Sequence, residues 1–131
     1  MSDLRVGLGI DAHALLDAVL GAAGLGDIGS LFPSGDARWR GASSLDLLRE
    51  AYGRVTAAGW ALVNADCVLI GEEPRIAPHR DQMRARLAAA LEVDVERVNV
   101  RATTTDRLGF TGRGEGLAAE AVALLERRET A

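Results

Sequence analysis

The sequence is short of several things, and each shortage excludes something. One cysteine, Cys67, rules out an intramolecular disulfide framework. It sits in the strand-like run Ala65-Asp66-Cys67-Val68-Leu69-Ile70 and reads as a buried, inert thiol. Basic charge is not in excess: 15 Lys and Arg against 19 Asp and Glu give a net charge of −4. No global positive field therefore favours nucleic acid or an anionic membrane, and a phosphorylated ligand would have to be held by local groups. The apolar runs read as too short to span a bilayer. The start, Met1-Ser2-Asp3-Leu4-Arg5, has neither a signal-peptide nor a transit-peptide pattern, so a cytoplasmic protein is expected. Histidine is scarce as well, with only His13 and His79 available to a metal.

What is present fits one domain, residues 1–131, with one core. Hydrophobic residues at 48% and charged residues at 26% suit a folded chain rather than a disordered one. Arg5–Ile10 reads as a short strand ending in the polar pair Asp11 and His13. Leu- and Ala-rich Ala14–Ala23 reads as a helix. Residues 24–41, with several Gly, Pro33, Ser34 and Asp36, read as a long loop. Ser43 with Asp46 three residues on marks a helix start, and Leu47, Leu48, Ala51, Tyr52 and Val55 continue it at helical spacing until Gly59. Ala61–Ile70 is the clearest strand. Pro78 opens a helix reaching about Leu91. Val95–Ala102 alternates with period two and reads as a strand. After Thr103-Thr104-Thr105-Asp106 and a glycine-rich run, residues 117–127 read as a final helix. Strands and helices mixed in one chain mean α/β or α+β.

Four motifs bear on chemistry. Gly24-Leu25-Gly26-Asp27-Ile28-Gly29 matches G-x-G-x-x-G, but a helix precedes it and a Pro-containing loop follows, so a dinucleotide site is rejected. Asp11 and His13, two apart in an extended segment, would point the same way and could share a divalent cation, although a solvated polar pair is the commoner meaning of such a dipeptide. Thr103-Thr104-Thr105-Asp106 offers three hydroxyls and a carboxylate at a strand end, which suits phosphate plus a hard cation; taken alone, a Thr-rich strand end with a capping Asp is the commoner meaning. Gly112-Arg113-Gly114-Glu115-Gly116 allows close backbone approach to a ligand or another chain.

Read together, Arg5–His13, His13–Gly29 with Leu31-Phe32-Pro33, and above all 102–106 with 108–116 closely resemble the 2-C-methyl-D-erythritol 2,4-cyclodiphosphate synthase family over nearly the whole chain. The resemblance implies a mixed sheet with helices on one side, assembled as a homotrimer around a central axis with sites between subunits. It implies a lyase of the non-mevalonate route to isoprenoids. In that reaction the 2-phosphate of 4-diphosphocytidyl-2-C-methyl-D-erythritol 2-phosphate attacks the β-phosphorus, CMP leaves and a cyclic diphosphate forms. It implies Zn²⁺ on Asp11 and His13 with a further His, and Mg²⁺ or Mn²⁺ on Asp106, where the family usually has Glu. Thr104 and Thr105 match residues that contact phosphate, Thr104 being the threonine that stabilises the transition state, and Thr103 beside them belongs to the substrate site. Asp27 and Gly29 match the ribose side of the site, and Phe32, Pro33, Ser34, Gly35 and Asp36 the loop near the erythritol. Gly71, Glu72, Glu73, Pro74, Arg75, Ile76 and Ala77 match the pocket that reads cytosine through backbone groups. Phe110 and Arg113 match residues near the trimer axis, where some members hold an anionic isoprenoid.

One departure matters. The family runs from its Asp-x-His through a hairpin and a His-Ser-bearing loop before its His-Ala-Leu-x-Asp-Ala helix, whereas here the two ends are joined and a stretch of roughly thirty residues is absent. His13 can serve either alignment but not both. Either the segment belongs between His13 and Ala14 of a longer natural chain, or it is lost and the metal site is damaged. A strand passing at once into a helix, with no Gly or Pro between, favours the former. The rival functions are a non-catalytic trimer that binds cytidine nucleotides and a portion of a protein fused to a cytidylyltransferase, against which Met1 just before the first strand argues.

Overall fold

A computed structural model describes residues 3–33, 35–39, 41–73 and 75–128. The order is α1 (Asp3–Ala23), α2 (Ile28–Leu31), α3 (Ser44–Ala57), β1 (Trp60–Ile70), α4 (Arg80–Leu91), β2 (Val98–Thr103), α5 (Gly109–Gly112) and β3 (Ala118–Arg127). The sheet runs β2-β1-β3. β1 is parallel to β2, with Ala65 opposite Val98 and Ile70 opposite Thr103, and antiparallel to β3, with Trp60 opposite Arg127.

Period two decides the faces of the sheet. Leu62, Ala65, Cys67 and Leu69 of β1, with Val98 and Val100 of β2, are buried, and α1, α3 and α4 cover this side. The residues between them point outward. Asp66 binds Arg101 at 2.7 and 3.1 Å and Asn99 at 3.0 Å on that face, beside exposed Val122 and Leu124 of β3. The expected architecture, a mixed sheet with helices on one side, is thus observed.

The helices follow their sequence signals. Ser43 and Asp46 form the capping box of α3, at 3.2 and 3.3 Å, and the Tyr52 hydroxyl accepts the Leu62 N–H at 2.9 Å, tying α3 to β1. Gly59, at φ 99°, turns the chain from α3 into β1.

Two readings from sequence are corrected. Residues 117–127 do not form a helix; from Ala118 they form β3. Ala, Glu and Leu favour helix locally, but Ala119, Ala121, Ala123 and Leu125 alternate onto the core side, and pairing with β1 overrides propensity. Arg5–Ile10 is not a strand but the first half of α1. Leu8, Ala12, Leu15, Leu16, Val19 and Leu20 make one buried stripe at helical spacing, continuous across the join at His13. Gly7 permits this close packing, since a Cβ there would lie 2.7 Å from the Ile76 side chain. α1 also corrects the reading of the apolar runs: Leu4–Ala23 is long and apolar enough to cross a membrane by length and composition. Its buried stripe lies against β1, β3 and α3, which accounts for that composition as a core helix.

Candidate functional site

Because β1 and β2 are parallel, their carboxyl ends, Ile70 and Thr103, lie side by side, the usual place for a ligand crevice in such sheets. The Gly71 N–H donates to the Thr103 carbonyl at 3.1 Å, extending the pairing one step past β1. A cleft of about 250 Å³ opens there, lined by Leu69, Gly71, Glu72, Arg75, Ile76, Ala77, Ala102, Thr103, Thr104 and Leu117. Most of the residues assigned from sequence to the cytosine pocket and two of the three threonines therefore meet in one place. Pro74 and Ser34 lie outside the described residues, and exposed Glu73 does not line the cleft. Leu69, Ala102 and Leu117 were not anticipated. The register signal for the first two was in the strand alternation; for Leu117 the signal was hidden by the helix reading of its segment. Leu117 packs close over Gly71, where a Cβ would come within 2.2 Å of Leu117 Cδ2 and would require that side chain to move.

Beyond Thr103 the backbone is unusual. Asp106 and Arg107 both take left-handed conformations, φ 53° and 70°, which non-glycine residues adopt at a cost. The turn is held by named bonds. The Asp106 N–H donates to Thr104 Oγ1 at 3.0 Å, and the Leu108 N–H to the Thr105 carbonyl at 3.1 Å. The Thr105 hydroxyl is bonded to the Leu108 carbonyl and lies 3.1 Å from the Thr111 hydroxyl, so it faces the turn. Gly112 packs under the turn, where a Cβ would lie 2.2 Å from the Arg107 carbonyl carbon. The Glu72 carboxylate accepts from the Thr104 hydroxyl and, at 3.2 Å, from the Arg107 N–H; these two bonds, the hydroxyl first, hold Glu72 below the usual carboxylate range.

The other assigned residues lie apart from the cleft. Asp27 caps α2, accepting the Ser30 N–H at 2.9 Å, and Gly29 is exposed within that helix. Phe32 is buried, with the Arg54 guanidinium 5.6 Å from its ring centroid; Pro33 and Gly35 are exposed, and Asp36 pairs with Arg38 at 2.9 Å. Phe110 is half exposed, and Arg113 pairs with Glu115 at 2.8 Å.

The metal residues divide. Asp106 is exposed, and its carboxylate has no hydrogen-bond partner among the described residues, which suits a hard cation shared with phosphate oxygens. Asp11 and His13 do not fit one ion as placed. Two residues apart on a helix they face different ways, so the extended geometry on which their pairing rested is absent. Asp11 is wholly buried, neither carboxylate oxygen has a hydrogen bond, and burial pushes its pKa up to about 7. His13 is half exposed, 3.9 Å from Asp17. No group of three or more His, Cys, Asp or Glu converges among the described residues.

The architecture is thus a mixed sheet with helices on one face and a cleft, part polar and part apolar, at the carboxyl ends of its parallel pair. The chain belongs to the YgbB family, which residues 5–126 match. It is 62% identical over 116 residues to 2-C-methyl-D-erythritol 2,4-cyclodiphosphate synthase of Rubrobacter xylanophilus, spanning 88% of this chain and 70% of that protein. Among solved structures it is similar to the bifunctional IspDF of Campylobacter jejuni, with TM-score 0.85 and 42% identity over 90% of this chain and 32% of that one. It is also similar to a 2C-methyl-D-erythritol-2,4-cyclodiphosphate synthase in its CDP-bound form, with TM-score 0.79 and 40% identity over 88% of this chain and 74% of that one.

Proposed function

We propose that this chain converts 4-diphosphocytidyl-2-C-methyl-D-erythritol 2-phosphate to 2-C-methyl-D-erythritol 2,4-cyclodiphosphate with release of CMP, as a phosphorus–oxygen lyase of the non-mevalonate pathway acting in the cytoplasm. The observation that carries the reading is the cleft that joins Gly71, Glu72, Arg75, Ile76 and Ala77 to Thr103 and Thr104. In this reaction an oxygen of the 2-phosphate bonds to the β-phosphorus and the bond from that phosphorus to the bridging oxygen breaks, leaving CMP. Phosphoryl transfer asks the protein mainly to align the two phosphates and to offset growing negative charge. The backbone around Gly71 to Ala77 reads the cytosine edge, and an unmatched buried donor or acceptor costs on the order of 1–3 kcal/mol, which disfavours adenine. Thr103 and Thr105 flank Thr104, whose hydroxyl meets the phosphate undergoing attack. Asp106 would hold Mg²⁺ or Mn²⁺, which would supply positive charge to the diphosphate. No step is assigned to Zn²⁺: with Asp11 and His13 on α1 as placed, such an ion would need residues 5–13 to leave the helix.

In the assembly proposed here, three chains surround an axis. Exposed Val122 and Leu124 on the outward sheet face and exposed Phe110 support that arrangement, in which Phe110 and Arg113 would lie near the axis. Asp27, Gly29 and the loop from Phe32 to Asp36 would then reach the ribose and erythritol. A second reading, a trimer that binds cytidine nucleotide without turnover, is favoured by one observation, the burial of Asp11 away from His13. The test is CMP release from the authentic substrate with Mg²⁺, alongside sedimentation. Turnover falling roughly a hundredfold in Thr104→Val, the effect of removing one well-placed donor, supports the cyclase. Binding of CMP without any release by the wild-type chain supports the second reading, and a clean monomer at micromolar concentration overturns the trimer.

A further inference from the structure

The side chain of Glu72 has a part to play that reading cytosine through backbone groups does not require. Its Oε1 accepts from the Thr104 hydroxyl and, at 3.2 Å, from the Arg107 N–H. A hydroxyl has one proton to give. While Thr104 gives it to Glu72, and accepts the Asp106 N–H at 3.0 Å, it has none for a phosphate oxygen. The Arg107 N–H is likewise taken, at a turn whose two left-handed residues fix its direction. A hydroxyl and a backbone N–H aimed at one oxygen, beside the Arg107 cation, are what a phosphate oxygen would be given. The Arg107 charge is close enough to favour the ionised carboxylate. Among the described residues the Glu72 carboxylate has no other hydrogen-bond or ion-pair partner, and it lies on the loop that follows β1.

We propose that Glu72 is an internal stand-in for phosphate: its carboxylate occupies the Thr104–Arg107 anion site in the empty protein and must swing out before a diphosphate can bind. The inference rests on the reading that this cleft takes a cytidine diphosphate. It makes Glu72 a residue that sets affinity and selectivity, weakening the hold on any anion too weak to displace a carboxylate.

The test is calorimetric titration of wild type, Glu72→Ala and Glu72→Gln with CDP, cytidine and pyrophosphate, in chelator so that no metal contributes. Replacing a charge-assisted pair of hydrogen bonds is expected to tighten CDP and pyrophosphate about five- to tenfold in Glu72→Ala, with a smaller gain in near-isosteric Glu72→Gln. Cytidine affinity stays unchanged, and the gain disappears when Thr104→Val is added. CDP binding that weakens or stays level in Glu72→Ala overturns the proposal and makes Glu72 a positioning residue or a metal ligand. Tightening of cytidine by the same factor as CDP also overturns it. If neither cytidine nor CDP binds at all, the cytidine reading fails, while pyrophosphate still decides the role of Glu72.

Discussion

The cleft at the ends of β1 and β2 and the first half of α1 are opposites. At the cleft, motif and structure agree: threonines stand at a strand end, Gly112 sits where a side chain would strike backbone, and the strained residues are each held by a hydrogen bond. In α1 the local signals conflict with the fold. Gly7 and Gly9 lie in a helix interior, and Asp11 is buried with both carboxylate oxygens unpartnered. Natural chains tolerate such conflict where function or a neighbouring element overrides it. Here the segment joined directly to Ala14 follows the helix that Leu15, Leu16 and Val19 require.

The largest expected effect comes from Asp11. Its folded-state carboxyl titrates near 7 against an ordinary 3.8. Between those values the folded protein keeps a proton that the unfolded chain gives up, so stability is highest below the window and falls as pH rises through it. At about 1.4 kcal/mol per unit the loss reaches roughly 4 kcal/mol at most. Asp66 and Glu72 are shifted the other way, so their effect is confined to pH below their ordinary values of 3.8 and 4.5. Urea midpoints measured from about pH 5 to pH 8 should fall for wild type and stay level for Asp11→Asn. A level wild-type curve would mean that Asp11 is solvated and that α1 is looser than described.

Gly112→Ala tests the other region. Its Cβ would strike the Arg107 backbone, not a flexible side chain, so the turn must move. A loss of about 2–3 kcal/mol is expected, with CDP binding weakened beyond that of the folded fraction. Unchanged thermal stability would show that the turn is soft. Gly9→Ala should do the reverse. Its Cβ meets nothing closer than Ser44 Oγ at 3.9 Å, so relief of glycine's entropy should stabilise the helix by about 0.5–1 kcal/mol. Destabilisation would indicate that residues 5–10 prefer the extended form. The smallest effect is a null one. Burial first, then the Asp11 and Asp66 charges, push the Cys67 thiol up to about 12, so a thiol reagent at neutral pH should react only as fast as the protein unfolds.

The legible parts of the sequence were those where local and tertiary demands coincide. The capping box at Ser43 and Asp46, the Trp60–Ile70 strand and the Thr103–Asp106 strand end all satisfy both. β3 was not legible because its inward row, Ala119, Ala121 and Ala123, consists of small residues equally at home in a helix, and only pairing with β1 selects the strand. The start of α1 was misread for the converse reason: Val6, Ile10 and two glycines favour extension, and the packing of Leu8 and Ala12 overrules them. Within the site, Gly71 to Ala77 could be placed beside the threonines from the family likeness, but the Glu72 side chain could not, because its partners are more than thirty residues away and appear only when β1 and β2 lie parallel.

Titration of CDP and ADP into wild type and Thr104→Val, at pH 7 and without metal, bears most directly on the cleft as the seat of function. The account predicts one CDP per chain, ADP weaker by about tenfold or more because its base leaves donors and acceptors in the pocket unmatched, and CDP weakened in Thr104→Val. Equal affinity for CDP and ADP, or CDP binding indifferent to Thr104, would contradict it.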